Sequence, residues 1–155
     1  MGGGHKMAIM PFEKQADLQT IGNALALKFQ DFYDKTGRKI HLEMEPGKYL
    51  TINSCCMITK IQDIVDTGEE GYRFLKINSG MNDMPRVAMY GVQEPIFVIS
   101  PVQRPSSQET GLVHYAVVGH CCESSDLLTC KLYEAETIET RELAEAHIGD
   151  YLVVD

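Results

Sequence analysis

After one helical pattern near its start, the chain continues as a succession of short apolar runs that turn residues separate. The runs cover residues 49–65, 72–78, 87–90, 95–100, 112–122, 127–133 and 151–154, with breaks at 66–68, 78–80 and 105–107 among others. Strand after strand without intervening helices is typical of an antiparallel sandwich or barrel. The sequence therefore predicts a mainly β domain over residues 49–155.

The segment before residue 49 has a different character. Apolar side chains recur there at steps of three and four, which predicts one face of a helix between residues 12 and 36: Leu18, Ile21, Leu25, Phe29, Phe32 and Tyr33. Pro11 stands at its entry, and Gly37 is placed to end it. Residues 39–44 then alternate polar and apolar, which predicts a strand. A helix followed by a strand is typical of an α/β unit, so we place a domain boundary between residues 48 and 49. A short helical turn is predicted over 141–148.

Charge and composition exclude several classes of protein. With 22 acidic and 14 basic side chains, the formal charge of −8 opposes binding to nucleic acid. No apolar run approaches the roughly 20 residues that a membrane span needs, and the first residues lack the apolar core of a secretory signal. The five cysteines include two adjacent pairs and are expected to be reduced. These features predict a soluble, cytoplasmic protein without a membrane partner.

Two short motifs in the first segment have the composition of a ligand site. Three glycines at 2–4 expose backbone amides to which a phosphate could come close, although such a run is also typical of a linker. Residues 45–48 combine the Glu45 carboxylate, a Pro-Gly turn and the Lys48 cation, which an ordinary solvated turn would also explain.

Two further motifs lie in the β domain. Arg86 could bind a carboxylate through its guanidinium while Tyr90 adds a hydroxyl, or the pair could be a surface residue and a half-buried strand aromatic. The densest group of reactive side chains is at 119–126. On a strand, Cys121 and Cys122 would point to opposite faces, so we expect one in the core and the other, beside Glu123, to act as a thiol or proton donor.

The cysteines have two other possible roles. A zinc site formed by His120, one cysteine of that pair and Cys130 is a weaker alternative, because no second pair of ligands appears at zinc spacing. Cys55 and Cys56 are expected to pack in mid-strand as small apolar residues.

Taken in order, these motifs resemble the C-terminal half of the fold-type III pyridoxal-phosphate-dependent amino-acid decarboxylases, in the branch that acts on diaminopimelate. The matching stretches are Gly-Gly-Gly at 2–4, Glu-Pro-Gly-Lys at 45–48, Gly-Met-Asn-Asp at 80–83, Pro-Arg-Val-Ala-Met-Tyr-Gly at 85–91, Cys-Glu-Ser at 122–124 with Asp126, and Gly-Asp at 149–150. The resemblance implies an α+β chain overall. Residues 1–48 would be the last α/β piece of a TIM barrel that binds the cofactor, and 49–155 a C-terminal β domain that lacks its final segment.

The resemblance also implies how this chain would bind pyridoxal 5'-phosphate. Gly3 and Gly4 would hold the phosphate, and Glu45 would face the pyridine nitrogen. Gly47 and Lys48 would lie near the phosphate or the substrate carboxylate. The family usually has arginine after that glycine, and Lys48 supplies its charge without the two-pronged geometry.

On the substrate side, the resemblance assigns Arg86 and Tyr90 to a distal carboxylate and Glu123 to a distal ammonium group. Cys122 would deliver a proton in the active site of a partner subunit, which implies a homodimer. The implied reaction converts meso-diaminopimelate into L-lysine and carbon dioxide. Ornithine, arginine or carboxynorspermidine decarboxylation and a non-catalytic dimerisation module are the alternatives. Because no lysine of the chain matches the family's Schiff-base lysine, we expect these 155 residues to be inactive alone.

Overall fold

The computed structural model describes residues 1–102 and 111–155, which form two compact units, Met1–Cys55 and Cys56–Asp155. The turn predicted at 105–107 lies outside the described residues.

The first unit contains the long helix that the apolar pattern predicts. Helix α1 spans Leu18–Thr36 and ends at Gly37, whose N–H donates to the carbonyl of Tyr33. Its start lies later than Pro11 because Asp17 caps it: the Asp17 carboxylate accepts the N–H groups of Gln19 and Thr20 at 3.0 and 3.1 Å. The apolar face of α1, with His5, Leu42 and Met44, lines a cavity of about 420 Å³.

The strand predicted over 39–44 is wrong, because residues 38–46 have no assigned helix or strand in the described structure. A strand requires a neighbour with which to exchange backbone hydrogen bonds, and the described part of this unit contains no other strand. Helix α2 then covers Gly47–Thr51, where the sequence predicted a strand. Cys55 and Cys56 precede the first strand and are exposed, so their predicted packing in mid-strand is also wrong.

The second unit is a sheet that is nearly closed into a barrel. In the described residues its elements are β1 Met57–Asp66, β2 Arg73–Ile77, α3 Pro85–Tyr90, β3 Ile96–Ile99, β4 Leu112–Val118, β5 Cys130–Lys131, β6 Glu134–Ile138, β7 Arg141–Ala144 and β8 Tyr151–Val154. The main sheet has the order β3-β8-β1-β2-β4-β7, and its two end strands also lie near each other. Strands β5 and β6 form a separate small sheet. The predicted mainly β fold is confirmed.

One pair of neighbours departs from the antiparallel pattern of this sheet. Strands β2 and β4 are parallel, with Phe74 opposite Ala116 and Lys76 opposite Val118. Parallel neighbours present their carboxyl ends at the same edge of a sheet. The loops that follow Ile77 and Val118 therefore emerge side by side.

Two local predictions for this unit are wrong. Residues 87–90 belong to helix α3, because Pro85 is pre-formed for a first helical turn and Gly91 supplies the left-handed conformation, at φ 58°, that ends it. Residues 141–144 form strand β7 instead of a helical turn. Pairing with β4, which places Val113 opposite Leu143, outweighs the local helical preference of that segment.

The core of the second unit lies inside the curved sheet. It consists of the buried residues Ile61, Leu75, Ile77, Tyr115, Val117, Leu128, Leu143, Ala146, Leu152 and Val154. The buried hydroxyl of Tyr115 accepts the N–H of Ala146 at 3.1 Å, so this polar group is satisfied.

In the described part of the chain, none of the helices has the length and apolar character needed to cross a membrane.

The core makes a prediction about stability. Leu75→Ala removes a fully buried side chain and should lower the free energy of unfolding by about 2–5 kcal/mol. Leu112→Ala, on β4 and 64% exposed, is the control and should cost less than about 0.5 kcal/mol. Urea unfolding of both variants measures the difference, and equal costs would contradict the position of the core.

The contacts of Glu13 in the first unit predict how its ionisation depends on pH. The pKa of Glu13 is lowered from 4.5 to about 2, first because the N–H of Ile9 donates to its carboxylate, and further by Lys6 and the N–H of Met10. A lowered pKa means that this carboxylate stabilises the fold above pH 4.5 and loses its effect as the pH falls towards 2. An NMR titration of the Glu13 side chain should give a midpoint near 2, and a midpoint at the ordinary value would contradict these contacts.

Candidate functional site

The loops after β2 and β4, residues 78–84 and 119–126, are joined by the carboxylate of Asp126. This side chain is 3% exposed and accepts the N–H of Met81 on one oxygen and the N–H of Cys121 on the other, both at 2.6 Å. A buried carboxylate is costly to desolvate unless hydrogen bonds replace its water. The two backbone donors supply that replacement, and they fix the two loops to each other.

Glycine is required on both sides of Asp126. A Cβ at Gly119 would overlap the Asp126 carboxylate, and one at Gly80 would crowd it. The N–H of Gly119 also donates to the Asp126 carbonyl at 3.0 Å, which closes loop 119–126 on itself. The motifs around Gly80 and Gly119 thus both pack against the Asp126 carboxylate.

Loop 78–84 has its own carboxylate. Asp83 accepts the hydroxyl of Ser79 at 2.6 Å and the N–H of Gly80 at 3.3 Å. The Ser79 hydroxyl, then the Gly80 N–H and nearby His120, hold the pKa of Asp83 below its usual range. Asp83 is therefore a charged, hydrogen-bonded group that shapes this loop.

The cysteine pair lies in loop 119–126, beyond the end of β4. Cys121 is half-buried, Cys122 is exposed, and neither is in the core, so the prediction that one of them packs there is wrong. The alternation of faces fails because the segment is no longer a strand. Burial raises the pKa of the Cys121 thiol, and the charge of Asp126 raises it further. Cys122 is the thiol that solvent or a ligand can reach.

The neighbouring carboxylate is also accessible. Glu123 is exposed, and one of its oxygens accepts both the N–H and the hydroxyl of Ser124, at 3.0 and 3.1 Å. These contacts restrict its rotamers without burying it. Loop 119–126 thus presents an acidic group and a thiol next to each other.

Arg86 and Tyr90 lie on helix α3, which follows loop 78–84. Residues four apart on a helix are on one face, so the guanidinium and the phenol are brought closer than a strand would bring them. Tyr90 is 59% exposed, and its alternative reading as a half-buried strand aromatic is wrong. Arg86 pairs with Glu94 at 3.2 Å, and Glu94 is 7% exposed. A guanidinium has five N–H donors, so it can hold Glu94 and a second carboxylate at once.

In the first unit, the glycine run lies against the turn at 45–47. A Cβ at Gly3 would overlap the carbonyl oxygen of Glu45, and the terminal amine of Met1 donates to the carbonyl of Glu43 at 2.8 Å. The side chains of Glu45 and Lys48 are exposed, and a Cβ at Gly4 would meet no atom within 4 Å. The two motifs predicted to bind one cofactor are therefore adjacent.

The zinc alternative finds no arrangement that supports it. Cys130 is fully buried in a small cluster with Val87 and Leu127, whereas His120 is exposed. Within the described residues, no three side chains of the ligating types are placed to hold a metal ion together.

The sequence analysis assigned no role to three residues of the site: Asp126, Glu94 and Asp83. Asp126 and Asp83 stand in two of the matching motifs, but the partner of Asp126 in loop 78–84 is 45 residues away along the chain, and only the fold brings the two together. Asp83 bonds to Ser79 and Gly80 in its own loop, and Glu94 pairs with Arg86 eight residues earlier.

The second unit is thus a nearly closed sheet whose loop 119–126 carries a thiol and a carboxylate and whose helix α3 carries an arginine and a tyrosine. The family described as pyridoxal-dependent decarboxylase, C-terminal sheet domain, matches residues 21–155. The chain belongs to this family, and the resemblance stated from its motifs is confirmed.

Individual relatives are diaminopimelate decarboxylases. The Escherichia coli enzyme is 31% identical over 153 residues, which are 99% of this chain and 35% of that protein. The Buchnera aphidicola (strain APS) enzyme is 36% identical over 117 residues, 76% of this chain and 27% of that protein. A crystal structure of a diaminopimelate decarboxylase superposes with a TM-score of 0.87 at 30% identity, covering 98% of this chain and 35% of the other. The chain thus spans about a third of the length of these relatives.

Pyridoxal phosphate is the cofactor that this family implies for the full-length enzyme. The first unit has side chains that fit parts of it. The space beside Gly4 is open, whereas the Glu45 carbonyl occupies that beside Gly3. Glu45 is a carboxylate that suits a protonated ring nitrogen, and Lys48 is a cation.

The close approach at Gly3 is testable. Gly3→Ala places a methyl group where the Glu45 carbonyl stands and should cost about 1–3 kcal/mol of stability in the first unit. Gly2→Ala, where a Cβ meets nothing within 4 Å, is the matched control and should cost less than about 0.5 kcal/mol. Amide exchange of Glu43, Met44, Glu45 and Gly47 reports the change, and equal behaviour of the two variants would contradict the contact.

Proposed function

We propose that this chain supplies part of the cofactor site and the substrate-recognition groups of a diaminopimelate decarboxylase, a lyase of lysine biosynthesis that converts meso-diaminopimelate into L-lysine and carbon dioxide. The observation that carries the proposal is the joined pair of loops. Loop 119–126 presents Cys122 and Glu123, and loop 78–84 leads into the helix with Arg86 and Tyr90. The identity of 31% with the Escherichia coli enzyme supports this choice of substrate.

The distal end of diaminopimelate carries both a carboxylate and an ammonium group, and the chain has a partner for each. Arg86, oriented by the buried Glu94, binds the carboxylate together with the Tyr90 hydroxyl, while Glu123 binds the ammonium. Ornithine has the ammonium without the carboxylate and would leave Arg86 unmatched. A site built to bind a charged group discriminates strongly against a substrate that lacks it.

At the reacting end, bound pyridoxal phosphate supplies a sink for the electron pair that remains when carbon dioxide leaves. Gly3 and Gly4 let the phosphate come close to the backbone, and Gly47 and Lys48 contact the phosphate or the substrate carboxylate. Glu45 keeps the ring nitrogen protonated. The exposure of Glu45 and Lys48 and the open space at Gly4 support these roles.

Cys122 gives a proton to the substrate carbon after carbon dioxide has left. Its exposure and its position next to Glu123 support this role. We propose that the enzyme is a homodimer in which Cys122 acts in the partner's active site. We also propose a cytoplasmic location, which the free cysteines Cys55, Cys56, Cys121, Cys122 and Cys130 support.

The lysine that anchors the cofactor belongs, in this proposal, to the part of the relatives that this chain does not match. The 155 residues alone would then bind parts of the cofactor and substrate without turning the substrate over.

A hybrid enzyme tests the function. This chain is joined to the region of the Escherichia coli relative that precedes the matched segment, and carbon dioxide release from meso-diaminopimelate is measured. We expect activity, and Arg86→Lys or Glu123→Gln should lower kcat/KM by about 100-fold without loss of bound cofactor, because each removes a contact to the distal end. Glu142→Gln, an exposed change on β7, is the control and should stay within about twofold.

Two outcomes would contradict the proposal. A folded hybrid that binds the cofactor but decarboxylates ornithine, arginine or carboxynorspermidine in place of diaminopimelate would overturn the substrate. A folded, cofactor-bound hybrid inert on all four would overturn the decarboxylase function.

A further inference from the structure

Asp126 makes four hydrogen bonds, three within its own loop 119–126 and one to loop 78–84. Its carboxylate accepts from Met81 and Cys121, its carbonyl accepts from Gly119 and its N–H donates to the carbonyl of Glu123 at 3.1 Å. The segment from Cys122 to Ser125 is therefore held at both of its ends by the same residue. Leu127, next in the chain, is bridged to Val118 at the end of β4.

The two carboxylate oxygens have separate partners. Oδ1 accepts from Met81 in the neighbouring loop, and Oδ2 accepts from Cys121 in its own loop. An asparagine has one acceptor oxygen and one NH₂ donor at these places. Whichever way its amide is turned, a donor would face a donor, so one of the two contacts is lost. The site thus requires two acceptor oxygens, which aspartate has and asparagine lacks.

We infer that Asp126 is a positioning residue of this decarboxylase site: its buried carboxylate sets where the Cys122 thiol and the Glu123 carboxylate stand relative to loop 78–84. The inference rests on the proposed function, in which Cys122 donates a proton and Glu123 binds the substrate ammonium. Asp126 is 3% exposed and touches no ligand in this account, so it acts through the residues that it holds.

The route of the effect is short. Cys122 follows Cys121 in the chain, and the N–H of Cys121 donates to the Asp126 carboxylate. The carbonyl of Glu123 accepts the N–H of Asp126. A shift of about 1 Å in a reacting group is enough to slow an enzyme by about 100-fold. Loss of one contact of the Asp126 carboxylate therefore displaces the Cys122 thiol and the Glu123 carboxylate together.

A first experiment tests, in the 155-residue chain, whether the Asp126 carboxylate holds the two loops together. Amide hydrogen exchange at Met81 and Cys121 is measured by NMR in the wild type, in Asp126→Asn and in Asp150→Asn. Asp150 is the matched control, because it is 2% exposed and its carboxylate accepts the N–H of His147 at 2.9 Å in a different turn.

Asp126→Asn should speed exchange at one or both amides by about 10-fold, the effect of losing a hydrogen bond to a charged group. The amide of Leu75 in β2 should stay within about twofold, and Asp150→Asn should leave Met81 and Cys121 within about twofold. Unchanged exchange in Asp126→Asn, or an equal increase in Asp150→Asn, would overturn the inference. If Asp126→Asn does not fold, Gly80→Ala crowds the same carboxylate while keeping its charge and should give the same change more weakly.

A second experiment measures catalysis in the full-length enzyme that carries this chain. Asp126→Asn should lower kcat on diaminopimelate by about 10-fold or more while the cofactor bound per subunit is unchanged. Asp150→Asn should keep kcat within about twofold even if it lowers Tm equally. In a Cys122→Ala, Glu123→Gln background, Asp126→Asn should cost less than about threefold, because the side chains through which it acts are already gone.

An undiminished loss in that background, or a loss of cofactor that matches the loss of kcat, would overturn the positioning role. A wild-type enzyme with no activity on diaminopimelate would overturn the proposed function and the positioning role with it. In that case the exchange measurement would still show separately whether Asp126 ties the two loops.

Discussion

The parallel pairing of β2 with β4 is the constraint on which the candidate site of the second unit depends. All the other pairs of adjacent strands in the described sheet are antiparallel. Strands β2 and β4 are therefore the one adjacent pair there whose carboxyl ends lie at the same edge. The loops that follow are forced together, and the buried carboxylate of Asp126 turns proximity into a fixed geometry. Gly80 and Gly119 permit the approach because any side chain there would meet that carboxylate.

Each unit has polar groups of its own. The first brings a glycine run against the Glu45 turn. The second carries Cys122 and Glu123 on loop 119–126, and Arg86 and Tyr90 on helix α3. The acidic side chains of the chain differ in their surroundings. Glu45 and Glu123 are exposed, whereas Asp126 and Glu94 are buried and bonded to other groups of the protein.

Much of this could be predicted from sequence, and the failures have physical causes. Apolar periodicity and a terminal glycine predicted α1 and its end at Gly37, and the turn-separated runs predicted the β domain. Residues 39–44 have the strand pattern but no pairing partner in the described structure. Residues 85–90 are a helix because Pro85 starts it and Gly91 ends it. Residues 141–144 are a strand because they pair with β4. The order of motifs predicted the decarboxylase family, which is confirmed over residues 21–155. The contact of Asp126 with Met81 joins residues 45 apart, so it follows from topology and not from spacing. The contacts of Asp126 with Cys121 and of Glu94 with Arg86 join residues closer together in the chain.

The most direct test of the account is a crystal structure of the full-length enzyme with pyridoxal phosphate and a non-reactive analogue of diaminopimelate. We expect the distal carboxylate of the analogue to contact Arg86 and its distal ammonium to contact Glu123. We also expect the Asp126 carboxylate to bridge the N–H groups of Met81 and Cys121 in the same structure. An analogue that touches neither loop, or an Asp126 side chain turned out to solvent with the ligand bound, would contradict it.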